Sequence, residues 1–352
     1  MNAVPQMFAP IPREQPAAWG GPAGRGRIRA VPEDFQVFEV PLATPCGEGE
    51  HCWLQVRKRG CNTAWVAQQL ADFAGVPLSA VSYAGLKDRH AVTEQDFSVH
   101  LPGRPDPDWQ SLQHPDFGVL SARRHSRKLK TGTLLGNRFV LRIRELDYNP
   151  ALLRQRLAQV AAGGFPNYFG SQRFGRDGGN LEQAARMFAA PRRRIARSKR
   201  SIYLSAVRSA LFNRVLAARV GTDCWNRALP GEALQLDGKS ACFVADTVDE
   251  ETRLRVQGLE LHPTGPLCGG GDSLCRGDAL AFETAQLENF GDWIEALRRA
   301  RVDASRRALR AVPRDLSWQE ENAGCARLSF YLPAGCYATS LLDELLSVGD
   351  SA

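Results

Sequence analysis

The sequence predicts an α+β protein of two domains, and three observations carry that prediction. Its 352 residues exceed what one ordinary core accommodates. Apolar and polar residues alternate with the period of strands in the first part of the chain and again near its end. Between these regions lies a block whose apolar residues recur at helical spacing.

In the first part, Phe35 to Val40, Cys52 to Arg59 and Asp96 to Leu101 alternate as strands do, and Arg138 to Arg144 sets Phe139, Leu141 and Ile143 on one face. Asn62 is placed to cap a helix that buries Trp65, Val66, Leu70 and Phe73, and Gly75 closes it. Asn149 and Pro150 form a cap and a first-turn proline. Leu153, Leu157 and Val160 follow at helical spacing, and Gly163 and Gly164 end the element. In the middle block one helix runs through Leu204, Val207, Leu211 and Val215, and one long helix through Leu287, Phe290, Ile294 and Leu297. After Pro313, Leu328, Phe330 and Leu332 alternate. Pro333-Ala334-Gly335 then turns the chain into a helix containing Leu341, Leu342 and Leu345. The tail is expected to rejoin the first sheet. The boundaries follow: a mobile segment 1–25 rich in Pro, Gly and Ala, one domain from 26–163 and 312–352, and an inserted domain 164–311.

Lys and Arg number 45 against 38 Asp and Glu, a net +7 that favours a polyanionic partner. No apolar run has the length of a signal peptide or a bilayer span, so a cytoplasmic protein without membrane attachment is expected. The nine cysteines contain no Cys-x-x-Cys pair and read as reduced thiols. His51 beside Cys52 is a poor metal site, because adjacent strand residues face opposite ways. Gly238-Lys239-Ser240 fails as a phosphate loop, since the preceding glycine, Gly231, is too distant, and Gly269-Gly270-Gly271-Asp272 lacks a dinucleotide fingerprint's context. No metal, ATP, NAD or other cofactor is implied.

Two clusters of cations stand out: Arg123, Arg124, Arg127, Lys128 and Lys130, and then Arg192, Arg193, Arg194, Arg197, Lys199 and Arg200. Such charges repel one another unless a phosphate backbone neutralises them; the alternative is a solvated face balanced by acids elsewhere. Phe35, Tyr168, Phe169 and Tyr337 lie beside turns and suit either stacking on an unpaired base or a place in the core. Within Tyr83 to Gln95, Asp88 follows a glycine closely and stands between Lys87 and Arg89. Nearby cations favour a carboxylate anion, which suits a nucleophile or base, while Asp after Gly is also ordinary turn and cap chemistry.

Five segments, taken in order, resemble the TruD family of tRNA pseudouridine synthases. They are Pro-Glu-Asp-Phe (32–35), Ala-Gly-Leu-Lys-Asp-Arg-His-Ala-Val-Thr-Glu-Gln (84–95), Pro-Asn-Tyr-Phe-Gly-Ser-Gln-Arg-Phe-Gly (166–175), Leu-Ser-Ala-Val-Arg-Ser-Ala-Leu-Phe-Asn (204–213) and Leu-Pro-Ala-Gly-Cys-Tyr-Ala-Thr-Ser (332–340). The resemblance implies a pseudouridine synthase domain with a mixed, mainly antiparallel sheet, interrupted by a family-specific α/β insertion in a V-shaped molecule. It implies isomerisation of uridine at position 13 of tRNA, with the catalytic aspartate at Asp88 and substrate contacts at Phe35, Asn137 and Tyr337. Lys87 or Arg89 would orient the carboxylate and hold a phosphate, or would belong to a solvated loop; Asn137 would meet the uracil edge or complete a turn. Arg29 departs from the lysine of many relatives, and no role is carried onto it. The expected partner is tRNA, no protein partner is implied, and a monomer is expected. Two other classes stay open: an RNA-binding or tRNA-folding protein without turnover, and a nuclease, which the lack of paired carboxylates at metal-binding spacing disfavours.

Overall fold

The computed structural model describes residues 8–190 and 194–350, Asp350 by its backbone alone. Its strands are β1 (Gly24–Ile28), β2 (Phe35–Pro41), β3 (His51–Arg59), β4 (Val81–Tyr83), β5 (Val92–His100), β6 (Phe117–His125), β7 (Leu134–Tyr148), β8 (Phe165–Pro166), β9 (Glu232–Leu236), β10 (Cys242–Ala245), β11 (Leu261–Leu267), β12 (Ser305–Ala308), β13 (Arg310–Ala311), β14 (Arg314–Asn322), β15 (Cys325–Pro333) and β16 (Ser347–Asp350). Its α-helices are α1 (Thr63–Ala74), α2 (Pro150–Gly163), α3 (Gly179–Ala189), α4 (Arg197–Gly221), α5 (Glu250–Gln257), α6 (Gly277–Leu287), α7 (Gly291–Arg299) and α8 (Ala338–Leu345). Two compact units result. One holds the chain up to Pro22, Arg154–Val312 and Cys336–Leu345; the other holds Ala23–Leu153, Pro313–Gly335 and the chain from Leu346.

The second unit is organised by a 10-stranded sheet with the order β14-β15-β7-β2-β5-β3-β6, in which β1 joins β7 and β16, and β4 joins β5. Pairing is antiparallel except between β2 and β5 and between β1 and β16, so the fold is α+β with a mixed, mainly antiparallel sheet. The alternation seen in the sequence decides which residues face α1. Leu54 and Val56 of β3 and Phe97 and Val99 of β5 pack against Val66 and Leu70. Full burial of each such side chain stabilises the fold by about 1.5–3 kcal/mol. Gly75 closes α1 in the left-handed conformation, at φ +60, where a glycine has no Cβ clash. Trp65 and Phe73 differ from expectation. They sit at the margin of this core, 37% and 36% exposed, with Trp65 edge-on to His114 and Phe117 and Phe73 against Trp109. The small Ala67, Ala71 and Ala74 take the inner face, letting α1 approach the sheet closely.

In the first unit β10-β9-β11-β12 form a 4-stranded antiparallel sheet, and β8 pairs with β13. Val207, Leu211, Phe212 and Leu216 of α4 enter its main core with Trp225, Leu297 and Leu309. The long helix expected through Leu287 and Leu297 is instead α6 and α7, separated by a 3-10 turn at Glu288–Phe290. Phe290, Trp293 and Leu297 are all buried. Arg219 and Glu232 form a buried ion pair of 2.8 Å, with side chains 3% and 1% exposed.

The amino-terminal segment also departs from expectation, because from Phe8 onward it is packed. Phe8 and Ile11 are buried in the first unit's core, and the Trp293 indole donates to the Ala9 carbonyl at 2.8 Å. The Glu344 carboxylate of α8 accepts from the Ala18 and Trp19 amides at 2.8 and 3.0 Å, and the Trp19 indole donates to the Gly164 carbonyl at 2.9 Å. A Pro- and Gly-rich composition concealed these long-range anchors, which order an extended backbone without local periodicity. No helix among the described residues is long and apolar enough to cross a membrane.

Candidate active site

The loop Ala84 to Ala91 joins β4 to β5, and side chains from neighbouring elements take up its backbone hydrogen bonds. The Ala84 carbonyl accepts from the Gly132 amide at 2.6 Å and the Gly85 carbonyl from Gln95 Nε2 at 3.1 Å. The Lys87 amide donates to Thr63 Oγ1 at 3.0 Å, and that hydroxyl donates to Gln95 Oε1 at 2.9 Å. Lys58 Nζ donates to the Asp88 carbonyl at 2.7 Å, and the Gly60 amide donates to the Ala91 carbonyl at 3.2 Å. A stretch with no strand or helix hydrogen bonds is thereby held in one conformation.

Asp88 does not pair with either flanking cation. Its Oδ2 lies 2.7 Å from a guanidinium nitrogen of Arg29, and its Oδ1 accepts from the His90 amide at 3.2 Å. The Arg29 side chain is 6% exposed and that of Asp88 23%, so solvent screens the pair little and reaches only the carboxylate side. Arg29 has φ +55, unusual for a residue with a Cβ, and its guanidinium carbon stands 4.0 Å from the centre of the Phe35 ring. Such backbone strain costs about 1–3 kcal/mol and persists where surrounding contacts enforce it. Asp34 supplies that enforcement. It is fully buried, accepts from Arg144 Nε at 3.0 and 2.9 Å and from Arg144 Nη2 at 2.8 Å, and accepts from the Val31 amide at 3.1 Å, fixing the turn between Arg29 and Phe35.

Lys87 turns away from Asp88 into the sheet. Its Nζ reaches Glu39 Oε2 and Asn137 Oδ1, each at 2.7 Å, and Glu39 and Asn137 are opposite one another on β2 and β7. A lysine only donates, so this contact assigns Oδ1 of Asn137 to Lys87 and its Nδ2 as the donor end of the amide. Asp96 lies next to this group: burial and the charge of Glu39 push its carboxyl up to about 6, with Lys87 opposing. Since that value exceeds the ordinary 3.8, neutral Asp96 stabilises the fold below about pH 4, and this contribution is lost as pH rises through about 6. Replacing Asp96 with Asn is expected to flatten that part of the stability curve, as measured by urea unfolding at pH 4 to 7.

The remaining candidates distribute unevenly. Phe35 is 4% exposed, with Arg29 on one face and the edge of Phe139 at a ring separation of 6.2 Å, so it supports the ion pair from beneath. Arg89 is exposed. Tyr337 belongs to the first unit, where its hydroxyl accepts from Arg173 at 3.0 and 2.7 Å and its ring meets Phe169 edge-on. Arg124 spends its donors on the carbonyls of Gly49, Leu101 and Arg104 and pairs with Asp106 at 2.8 Å, which makes it a structural brace. Arg123, Arg127, Lys128 and Lys130 are exposed beside it. Arg194, Arg197, Lys199 and Arg200 are exposed at the start of α4, where cations oppose the helix dipole; Arg192 and Arg193 lie outside the described residues. Sequence reasoning missed Arg29, Glu39 and Lys58 as site residues. The signal for the last two was present in strand alternation, which puts Glu39 on the face of Phe35 and Val37, and Lys58 on the face of Leu54 and Val56.

Comparison with solved structures shows a shared fold. A crystal structure described as tRNA pseudouridine synthase D (TruD) from Methanosarcina mazei superposes with a TM-score of 0.74 at 22% identity, covering 97% of this chain and 98% of that one. The sequence profile of tRNA pseudouridine synthase D (TruD) matches residues 17–188 and 179–345. This chain therefore belongs to the TruD family of tRNA pseudouridine synthases, which are isomerases. Among its relatives, tRNA pseudouridine synthase D of Methylococcus capsulatus is 50% identical over 331 residues, covering 94% of each chain. That of Xanthomonas campestris pv. campestris is 46% identical over 350 residues, covering 96% of this chain and 95% of its own.

Proposed function

We propose that the chain converts uridine to pseudouridine at position 13 of tRNA, with Asp88 acting on a uridine drawn out of its stack. The observation that carries this reading is the ion pair of Asp88 with a strained, nearly buried Arg29 inside a loop whose backbone is fixed on every side. The reaction breaks the bond between ribose C1′ and uracil N1, turns the base, joins C5 to C1′ and, overall, moves the C5 proton to N1. It is neutral in mass and redox state, so no electron or group carrier enters the balance. Asp88 either adds to the substrate as a nucleophile or takes a ribose proton on the way to a glycal, and both routes use an exposed carboxylate edge. Arg29 holds that carboxylate in place. The Nδ2 of Asn137 donates to a uracil carbonyl. Exposed cations at the start of α4 meet tRNA phosphates, where the helix amino terminus adds its own attraction for an anion.

The test is incubation of the purified chain with two tRNA transcripts, one with uridine and one with cytidine at position 13, followed by chemical labelling of pseudouridine. Labelling at position 13 of the first transcript alone is expected. Unlabelled tRNA, or a label that falls elsewhere, would refute the reading. Arg29 supplies a finer check: Arg29→Met is expected to lower kcat by about 10²-fold, as for loss of one preorganised charged donor, with Arg29→Lys recovering most of the rate in single-turnover assays.

A further inference from the structure

We propose that Lys58 is a positioning residue for Asp88, clamping the aspartate's backbone from inside the sheet. The proposal rests on the reading of Asp88 as the reacting carboxylate. Lys58 occupies the end of β3, and alternation directs it to the same face as Cys52, Leu54 and Val56. Its side chain is completely buried there. Nζ donates to the carbonyls of Asp88 and Cys61, at 2.7 and 2.8 Å, and no carboxylate pairs with it among the described residues.

A buried ammonium without an anionic partner is a costly arrangement, and burial accordingly lowers the pKa of Lys58. A methionine would fill the same slot without that cost. What methionine lacks is a donor for the Asp88 carbonyl. The other backbone anchors of the loop fall at Ala84, Gly85, Lys87 and Ala91, so Lys58 holds the residue that carries the carboxylate itself. With the carbonyl fixed by Lys58, Oδ2 by Arg29 and Oδ1 by the His90 amide, Asp88 is located at three points. A reacting group displaced by about 1 Å can lose about 10²-fold in rate, which is the scale on which such a clamp acts.

Three chains decide the matter: wild type, Lys58→Met, and Lys58→Gln, whose shorter side chain keeps an N–H donor. The readouts are kcat and KM on tRNA per folded molecule, and amide hydrogen exchange across residues 85–91. Lys58→Met is expected to lower kcat by about 10- to 100-fold with KM within threefold, and to speed exchange at Leu86 to His90; Lys58→Gln is expected to recover part of both. A folded Lys58→Met chain with kcat within twofold of wild type, or with unchanged exchange, overturns the proposal. So does a loss that Lys58→Gln leaves undiminished, and so does unfolding of both variants, which would make Lys58 a folding determinant only. Wild-type turnover tests the functional reading separately, because the exchange result bears on Lys58 even if no uridine is converted.

Discussion

Asp88→Asn is expected to leave uridine conversion at least about 10³-fold below the wild-type rate, while tRNA affinity stays within a few-fold. Asparagine keeps the shape of the side chain but has a single acceptor oxygen, so it keeps only one of the two bonds that Asp88 accepts from Arg29 and the His90 amide; the Lys58 bond to the backbone carbonyl of residue 88 is unchanged and keeps the loop in place. What it loses is negative charge and the ability to add to carbon or take a proton. Rate and binding therefore separate. A filter-binding isotherm beside a single-turnover labelling assay reads both quantities, and conversion within tenfold of wild type would remove Asp88 from the chemistry. Parallel collapse of binding and rate would instead point to a contact residue.

Glu232→Gln is expected to destabilise the chain by about 3–5 kcal/mol, because it strands the Arg219 guanidinium inside the first unit's core. Besides Arg219 at 2.8 Å, Glu232 accepts from the Leu229 amide at 2.9 Å, and Arg219 also donates to the Arg227 carbonyl at 3.1 Å. Burial, the largest influence on Glu232, raises its pKa despite the adjoining arginine, and desolvation of such a buried pair commonly offsets much of its attraction. The double variant Arg219→Met with Glu232→Leu is accordingly expected to recover most of the lost stability. Denaturant unfolding of the wild type, the single variant and the double variant checks this, and additive losses would contradict it.

The elements with strong periodicity were legible in the sequence. The alternation of β2, β3, β5, β7 and β15, the closing Gly75 of α1 and the cap of α2 follow from single residues and their spacing, as with Asn149 Oδ1 accepting from the amides of Ala151 and Leu152, whereas Asn62 stands at the start of α1 without a side-chain capping bond. The candidate site was legible in part. Asp88 stood out by its neighbours, yet those neighbours turn elsewhere, because local charge in a loop says nothing about the direction of each side chain. Its partner Arg29 is remote in sequence and reaches it through a strained turn, and Lys58 is hidden by its own chemistry, since a lysine in a strand is ordinarily read as solvated. The packed segment from Phe8 to Trp19 has no period at all, and its contacts include α7, α8 and the region of Gly164.

The order of synthesis acquires a meaning from the way the large sheet is assembled. Strand β15 lies between β14 and β7, and β16 lies beside β1, so the amino-terminal part of the chain must wait for residues beyond Pro313 before its sheet is complete. Contacts of such sequence separation form slowly and leave strand edges open during translation. A nascent chain halted before Pro313 would carry Asp88 and Arg29 but present β7 without its β15 neighbour. Competence thus requires the chain beyond Pro313, and a chain lacking it leaves the β7 edge unpaired.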